Sequence, residues 1–309
     1  MGTYIVRRLL QMIPVVIGAT FLIFFLVYAV PGEPWEGRCG ERECSDAYIA
    51  KFKQDYHLDE PLLVQYGLYL ARLVRGDLGV NFYGNAVSTE LLTRYPTSIK
   101  LALIALTVTV VIGISAGVLA GVRKGSFLDS LVIVSTLVVI SIPVFVIGSM
   151  AQFGVLKLNL NNVIPVTASE GTLQQLILPG FVLGSLSVAY AARLTRTNLV
   201  ENLRADFVRT AKAKGLTPAR VMGVHALRNS LIPVITFLGY DFGGLMGGAI
   251  VTERIFNING VGGFIFRSIN QLDGVSVVGA VSVLVLIYLV VNLVVDVMYG
   301  VLDPRISHD

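Results

Sequence analysis

Long apolar runs, separated by short polar segments, dominate the hydrophobic pattern of this chain. A transmembrane helix needs about 20 predominantly apolar residues. Only helices and closed barrels satisfy every backbone polar group in lipid, and barrel strands are about half this length. The pattern therefore predicts an all-α polytopic membrane protein with six transmembrane helices. The runs cover about residues 9–30, 98–122, 128–154, 176–197, 231–251 and 276–298.

The composition agrees with a membrane protein. The 309 residues are 54% hydrophobic and only 14% charged, whereas soluble proteins are about a quarter charged. The first run follows Arg7 and Arg8, so a signal peptide is an alternative. However, the run is longer than the apolar part of a typical signal peptide and lacks a cleavage site of small residues before Pro31. We therefore expect an uncleaved first helix.

Basic residues predict the orientation of the spans. Of the 24 Lys and Arg residues, 13 lie in or beside segments that share one side of the membrane with both termini. Because basic residues accumulate on the cytoplasmic side, both termini are expected in the cytoplasm. The net charge of +4 is then a topological signal. No basic patch is interleaved with aromatic residues, so nucleic-acid binding is not expected.

This topology divides the chain into four regions. Residues 1–30 would form an N-terminal anchor helix, and residues 31–97 one long extracytoplasmic loop. Residues 98–300 would form a five-helix core with a cytoplasmic loop at 198–230. Residues 301–309 would be a cytoplasmic tail.

The extracytoplasmic loop is predicted to carry two short helices, around Ala47–Tyr56 and Leu62–Leu73, with strands as the alternative. It also contains both cysteines of the chain, Cys39 and Cys44. A close cysteine pair in an external loop favours a disulfide. A metal site is disfavoured because no histidine lies within a dozen residues.

A basic hydrophilic segment lies between the fourth and fifth apolar runs. Nothing breaks a helix from Leu203 to Lys214, and its apolar positions fall on one side. Gly215 can adopt the left-handed conformation that ends a helix, and Leu216 can pack back on that helix. The apolar positions are Leu203, Phe207, Val208 and Ala211, whereas Asp206, Arg209 and Lys212 face away.

A second helix is expected directly after this turn. Thr217 and Pro218 fit the N-cap and the first helical position. Physical chemistry alone leaves two interpretations of the segment: a docking site for a soluble partner, or a basic surface helix on anionic lipid headgroups. A helix-turn-helix that reads DNA is disfavoured, because both ends of the segment are tethered to membrane spans.

The segment resembles the coupling loop of permease subunits in binding-protein-dependent ABC importers of the peptide/nickel type. The similarity lies in Asp206-Phe-Val-Arg-Thr-Ala-Lys-Ala-Lys-Gly-Leu and His225-Ala-Leu-Arg-Asn-Ser-Leu-Ile-Pro-Val. It extends over essentially the whole chain, in order and at matching spacing. The other similar stretches are Arg7-Arg-Leu-Leu-Gln-Met-Ile-Pro, His57-Leu-Asp-Glu-Pro-Leu-Leu-Val-Gln-Tyr, Gly76-Asp-Leu-Gly, Val251-Thr-Glu-Arg-Ile-Phe and Val291-Asn-Leu-Val-Val-Asp-Val-Met-Tyr-Gly-Val-Leu-Asp-Pro-Arg305.

The resemblance implies a channel-forming subunit of an ATP-driven importer of di- or oligopeptides in the bacterial inner membrane. Its partners would be a second homologous permease, two ATP-binding subunits, an extracytoplasmic substrate-binding protein and membrane lipid. ATP and Mg²⁺ would bind in the ATPase partners. This chain would be no enzyme and would bind no cofactor, since it has no Gly-x4-Gly-Lys-Ser/Thr loop. The implied coupling residues are Asp206, Arg209, Ala211, Lys212, Gly215 and Leu216.

Glycines recur every four residues in two spans and would allow close helix approach. We expect those of the second span to pack within the subunit. Those of the fifth span fit either a subunit interface or the translocation path. The second-span glycines are Gly113, Gly117 and Gly121, and the fifth-span glycines are Gly239, Gly243 and Gly247.

Two aspartates are predicted within spans, where charge is costly unless it is paired or hydrated. Asp296 lies near the cytoplasmic end of the sixth span and is expected to be structural. Asp241 lies near mid-membrane and could contact substrate in a wet cavity, or be hydrogen-bonded or protonated in a structural role. Pro143 predicts a bend that lines a cavity, with ordinary helix irregularity as the alternative. The predicted translocation path comprises Ser141, Pro143, Tyr240, Asp241 and Gly244.

Two other functions fit the sequence less well than an importer. An intramembrane aspartyl protease needs two carboxylates that share a proton, but Asp296 does not stand in a Gly-x-Gly-Asp motif. An ion-coupled secondary transporter or channel that works without ATPases is the stronger alternative.

Overall fold

The computed structural model describes residues 2–28, 35, 39 and 44–302. Helices form almost all of its regular structure, and the predicted all-helical class is confirmed. Within these residues the one β feature is an isolated bridge between Val80 and Ala86. The helices are α1 (Gly2–Tyr28), α2 (Asp46–Tyr56), α3 (Leu62–Val74), α4 (Val87–Val108), α5 (Ser115–Val122), α6 (Phe127–Ser141), α7 (Val144–Lys157), α8 (Leu173–Asn202), α9 (Asp206–Ala213), α10 (Pro218–Arg220), α11 (Arg228–Ile255), α12 (Val261–Asn270) and α13 (Gly274–Leu302), with π-helical segments at Thr109–Ile114 and Val221–Leu227.

Five helical runs of the described chain are long and apolar enough to cross a membrane. They are Ile5–Tyr28, Val87–Val122, Leu173–Asn202, Pro218–Gly247 and Gly274–Val297. A sixth candidate is the pair α6 and α7, whose axes are bent by 104° at the break between them. The structure therefore provides five candidate spans, or six if the bent pair counts as one.

The third predicted span, 128–154, is not one helix. Ile142 has an extended backbone, and Pro143 stands at the N-cap of α7. Proline has no N–H to donate and disfavours helical geometry in the residue before it. Pro143 therefore ends one helix and starts another, which is a stronger break than an ordinary irregularity.

The second span also begins earlier than its predicted start at residue 98. Its helix starts at Val87 and includes Pro96. The first turns of this helix contain the charged residues Glu90 and Arg94 and lie within the predicted extracytoplasmic loop. In the helix they are four residues apart and form an ion pair at 2.5 Å. Mutual pairing of this kind allows charged residues to lie within a helix that continues into an apolar run.

The helices and the disulfide predicted for residues 31–97 can be compared with the structure where the chain is described. The two short helices are confirmed as α2 and α3. Cys39 and Cys44 are joined by a disulfide. Most of residues 29–43, and the tail from residue 303 onward, lie outside the described residues.

The chain forms two compact units, the first comprising Met1–Ser98 and Asn259–Asp309. In this unit α1 and α13 run antiparallel. Arg8 pairs with Asp296 at 3.3 Å near one end of the two helices, and Val27 lies against Gly274 near the other. Asp296 is buried, and its charge is paired with Arg8 of the neighbouring helix. This arrangement agrees with the structural role expected for Asp296.

The second unit comprises Ile99–Ile258 and is organised around α8. The α4–α5 run packs parallel to α8, since Gly180 of α8 meets Ile104 and Gly121 of α5 meets Leu199. A Cβ on Gly117 would lie 2.5 Å from the carbonyl oxygen of Ala192. The predicted close packing of the second-span glycines within the subunit is therefore confirmed.

Candidate functional site

Within the coupling loop predicted at 198–230, residues 203–227 follow the end of α8 and are called the coupling segment. The predicted single helix from Leu203 to Lys214 is wrong in its first turn, because α8 continues to Asn202 and α9 begins only at Asp206. The predicted turn is confirmed: Gly215 has φ +75°, and the Leu216 N–H donates to the Ala211 carbonyl at 3.3 Å. Glycine adopts this left-handed conformation without the steric cost that a Cβ imposes.

The second helix of the segment also begins as predicted. Thr217 has an extended backbone at the N-cap, and Pro218 is the first helical residue. The helix then continues through the π-helical Val221–Leu227 into α11 without a break. The segment is therefore rigidly continuous with the fifth apolar span.

A small apolar core holds the segment against the end of α8. Its members are at most 4% exposed, and burying even one valine side chain is worth about 1.5–3 kcal/mol. Val118 of α5, Leu203, Leu216 and Met222 pack around this core. The core therefore joins α9 to α8 and to the helix that leads into α11, and α5 packs against it through Val118. The core residues are Leu199, Val208, Ala211, Val221 and Ala226.

The predicted coupling residues separate into two groups by exposure. Asp206, Arg209, Lys212 and Gly215 are exposed. Ala211 and Leu216 instead face the core, and Ala211 is only 4% exposed. These two residues pack in or against the core of the segment and do not form part of its outer surface.

Phe207 is a surface residue that sequence reasoning missed. Its side chain is 41% exposed, although the helical pattern placed it on the apolar side. Val208 and Ala211, three residues apart, form the buried stripe of α9. Phe207 is the second residue of α9 and lies four residues before Ala211, at the edge of that stripe. Apolar spacing alone does not distinguish it from the buried positions.

A buried ion pair anchors the neighbouring turn between α5 and α6. Arg196 donates from Nε to Asp129 Oδ1 at 2.9 Å and from Nη2 to Oδ2 at 2.8 Å. The Gly125 N–H adds a third hydrogen bond to Oδ2 at 2.8 Å. Asp129 lies within the predicted third span, so the prediction of only two intramembrane aspartates was wrong.

Asp241 lies between α8 and α11. The Ser187 hydroxyl donates to Asp241 Oδ1 at 2.8 Å. Asp241 Oδ2 is buried and has no hydrogen-bond partner among the described residues. The rings of Tyr190 on α8 and Phe237 on α11 are tilted against each other, with centroids 6.3 Å apart. Ser187 was not predicted, because it lies 54 residues away in the chain.

Among the remaining predicted path residues, Tyr240 is 41% exposed on α11. The Ser141 hydroxyl bonds the carbonyl of Leu137 in its own helix. Pro143 is exposed at the break between α6 and α7. A Cβ added to Gly244 would meet nothing within 4 Å, so that part of α11 presents open backbone.

Comparison with known proteins agrees with this arrangement. Residues 113–308 match the family model of the binding-protein-dependent transport system inner membrane component. Residues 1–102 match the corresponding N-terminal membrane-component model. The chain belongs to this family. It is therefore a transport permease component of the inner membrane, and the ATPase-independent alternative is not supported.

Named relatives match the permease over its full length. The dipeptide transport system permease protein DppB of Alkalihalophilus pseudofirmus is 36% identical, covering 100% of both chains. The di/tripeptide transport system permease protein DppB of Pseudomonas aeruginosa is 37% identical, covering 100% of this chain and 99% of its own. The glutathione transport system permease protein GsiC of Escherichia coli is 34% identical, covering 100% of both.

Proposed function

We propose that this chain is one of two permease subunits in an ATP-driven importer of di- or oligopeptides. An extracytoplasmic binding protein would deliver the substrate, and two ATPase subunits, which hold ATP and Mg²⁺, would drive transport. The full-length similarity to permeases named for dipeptides supports the substrate class. The relative named for glutathione is nearly as similar, so the decisive assay must include both kinds of substrate.

We further propose six membrane spans with both termini in the cytoplasm. The parallel packing of α8 on the α4–α5 run supports this count. The chain leaves α5 beside Leu199 but starts α8 near the other end of the same run. The intervening α6 and α7 must therefore lead the chain back from the end of α5 to the start of α8. Gly148 of α7 lies near Val182, in the first half of α8, as this path requires. A re-entrant loop would leave α8 antiparallel to α4–α5.

An even number of spans places both termini on one side, and the distribution of basic residues assigns that side to the cytoplasm. Residues 31–97 then lie outside, and residues 198–230 lie inside, where ATPases are found.

The observation that supports the coupling role is the packing of α9, through Val208 and Ala211, into the apolar core of the segment. Its outer surface combines the exposed Phe207 with charged Arg209 and Lys212. Its inner surface belongs to a core that includes residues of α8 and of the helix that leads into α11, with Val118 of α5 packed against that core. An ATPase that grips the outer surface would move three helices as it closes.

Uptake by the assembled transporter tests the proposed function. Proteoliposomes containing both permeases and both ATPases should accumulate a labelled dipeptide only when ATP and the binding protein are supplied. Unlabelled dipeptide should compete more strongly than glutathione. Uptake driven by a proton or sodium gradient, without ATPases, would overturn the proposal.

The docking surface is tested by Phe207→Ala. Truncation of an exposed side chain should leave the melting temperature unchanged but lower ATP-driven uptake and the amount of ATPase that copurifies. Phe127→Ala is the matched control, because Phe127 is an even more exposed phenylalanine at the start of α6. Equal effects of the two variants would argue against a specific role for Phe207.

We propose that Asp241 lines the translocation path and contacts the amino group or cation of the substrate. The buried, unpartnered Oδ2 supports this role. Asp241→Asn keeps the shape of the side chain and can still accept from Ser187. It should therefore insert normally but transport peptides that carry a free amino group or a cationic side chain less well, with a smaller loss for neutral peptides whose amino terminus is acetylated. Equal losses for the free and the acetylated neutral peptides would contradict contact with a substrate cation.

A further inference from the structure

Helix α3 exposes an apolar face, although it belongs to the predicted extracytoplasmic loop. Leu63 is 72% exposed and Val74 is 87% exposed. The polar side chains of the helix face inward: Tyr66 is buried, and Gln65 and Arg72 are partly buried. A helix on the surface of a soluble domain has the opposite arrangement. The exposed positions between the helix ends are Leu63, Val64, Gly67, Leu68, Ala71 and Val74.

The neighbouring helix α2 provides the contrast. It lies in the same loop and the same compact unit, and it buries Phe52. Its exposed positions are mostly polar or small, as expected for a helix in water: Asp46, Ala47, Tyr48, Ala50, Lys51, Gln54 and Asp55. The apolar exterior is therefore a property of α3 and not of the loop as a whole.

Contacts of α3 place it beside the middle of a membrane-crossing helix. The Tyr66 hydroxyl donates to the Ile17 carbonyl at 2.8 Å and lies 2.9 Å from the Thr20 hydroxyl. Ile17 is eleven residues before Tyr28, where the candidate span Ile5–Tyr28 ends. At 1.5 Å per residue, this is about 16 Å along the helix, close to the middle of that span.

A second tyrosine gives an independent measure of depth. The Tyr69 hydroxyl and the Ser282 hydroxyl are 2.7 Å apart. Ser282 is eight residues into the candidate span Gly274–Val297, or about 12 Å from its start. Both inward-facing tyrosines of α3 thus find their hydrogen-bond partners well inside apolar helices, where water does not supply them.

We propose that α3 is inserted into the outer leaflet of the membrane and that its exposed face contacts lipid acyl chains. Helix α1, which α3 contacts, likewise exposes apolar side chains, including Leu22, Phe25 and Leu26. Arg75, exposed directly after the helix, can reach the headgroup region. The side of the membrane rests on the proposed orientation, but the lipid contact does not.

Lipid contact predicts how two reagents reach a spin label on α3. In the complete transporter, reconstituted in phosphatidylcholine vesicles, nitroxides are attached to Val64→Cys and Leu68→Cys. Lipid-soluble oxygen and a water-soluble nickel chelate are compared as relaxation agents. Oxygen should dominate at both positions. Ala50→Cys on α2 is the matched control, and there the order should invert. A labelled transporter without the introduced cysteine gives the background from other thiols.

Two results would overturn the proposal. Access of the nickel chelate to Val64→Cys and Leu68→Cys equal to that at Ala50→Cys would mean that α3 faces water. Exclusion of both reagents from the complete transporter, with access restored in the isolated chain, would mean that another subunit covers α3. Peptide uptake is not a readout here, so failure of the proposed transport function would leave this test intact.

Discussion

Loss of Arg196 should destabilise the protein more than loss of any exposed charge in the coupling segment. In the native structure Asp129 accepts two hydrogen bonds from this guanidinium and one from the Gly125 N–H. Its side chain is only 5% exposed. Arg196→Met preserves much of the apolar length of the side chain but leaves the carboxylate with one partner. An unpaired charge then stays buried between α6 and α8.

The size of the effect follows from that burial. Removing one partner of a buried ion pair costs about 3–5 kcal/mol. Asp129→Asn should cost less, about 1–3 kcal/mol, because the Arg196 side chain is 22% exposed and can still bind water. The double variant should cost less than the sum of the single variants, since it leaves no unpaired charge behind.

Thermal unfolding of the purified complex measures these differences. The melting temperature should fall most for Arg196→Met, less for Asp129→Asn, and less than additively for the two together. The Asp206–Arg209 pair is the control, because both of its side chains are largely exposed and exposed pairs are worth little. Strict additivity at Asp129 and Arg196, or an equally large effect at the control pair, would refute the reasoning.

Two further predictions concern glycines. Gly117→Ala should destabilise by about 1–3 kcal/mol, because its Cβ would meet the backbone of α8. Gly154→Ala, at a helical glycine with nothing within 4 Å, should instead stabilise by roughly 0.5–1 kcal/mol; melting temperatures compare the two, and equal shifts would contradict the packing argument. Gly215→Asn should retain more uptake than Gly215→Val at equal expression, because asparagine tolerates φ +75° better than a β-branched residue. Equal uptake would show that the turn is not limiting.

Local signals in the sequence were enough to predict much of the fold. Apolar run length found the five long helical runs, because each long span must satisfy its own backbone in lipid. The turn at Gly215 and the helix start at Thr217 and Pro218 were also correct, because each depends on the conformational preference of one or two residues. Such features need no information about distant parts of the chain.

Features that depend on distant partners could not be predicted. Asp129 finds Arg196 67 residues away, and Asp241 finds Ser187 54 residues away. The early start of the second span was missed because Glu90 and Arg94 neutralise each other within the helix. In the coupling segment, Phe207 is exposed in the first turn of α9, although its spacing from Ala211 matches the buried side. Periodicity alone does not separate such a residue from the core.

Helices α2 and α3 show why composition alone does not distinguish the two helices of the predicted extracytoplasmic loop. Loop composition averages over one helix with a mostly polar exposed surface and one with an apolar exposed surface. In a soluble protein an apolar stripe points inward, because the exterior is water. A membrane protein is surrounded by lipid over part of its height. An apolar stripe can therefore face either the protein interior or the lipid. The polar side chains decide the question: Tyr66 and Tyr69 bond to α1 and α13, so the apolar positions of α3 must face outward. The proposed membrane location of this helix therefore rests on the tertiary contacts of its polar residues and not on hydrophobicity alone.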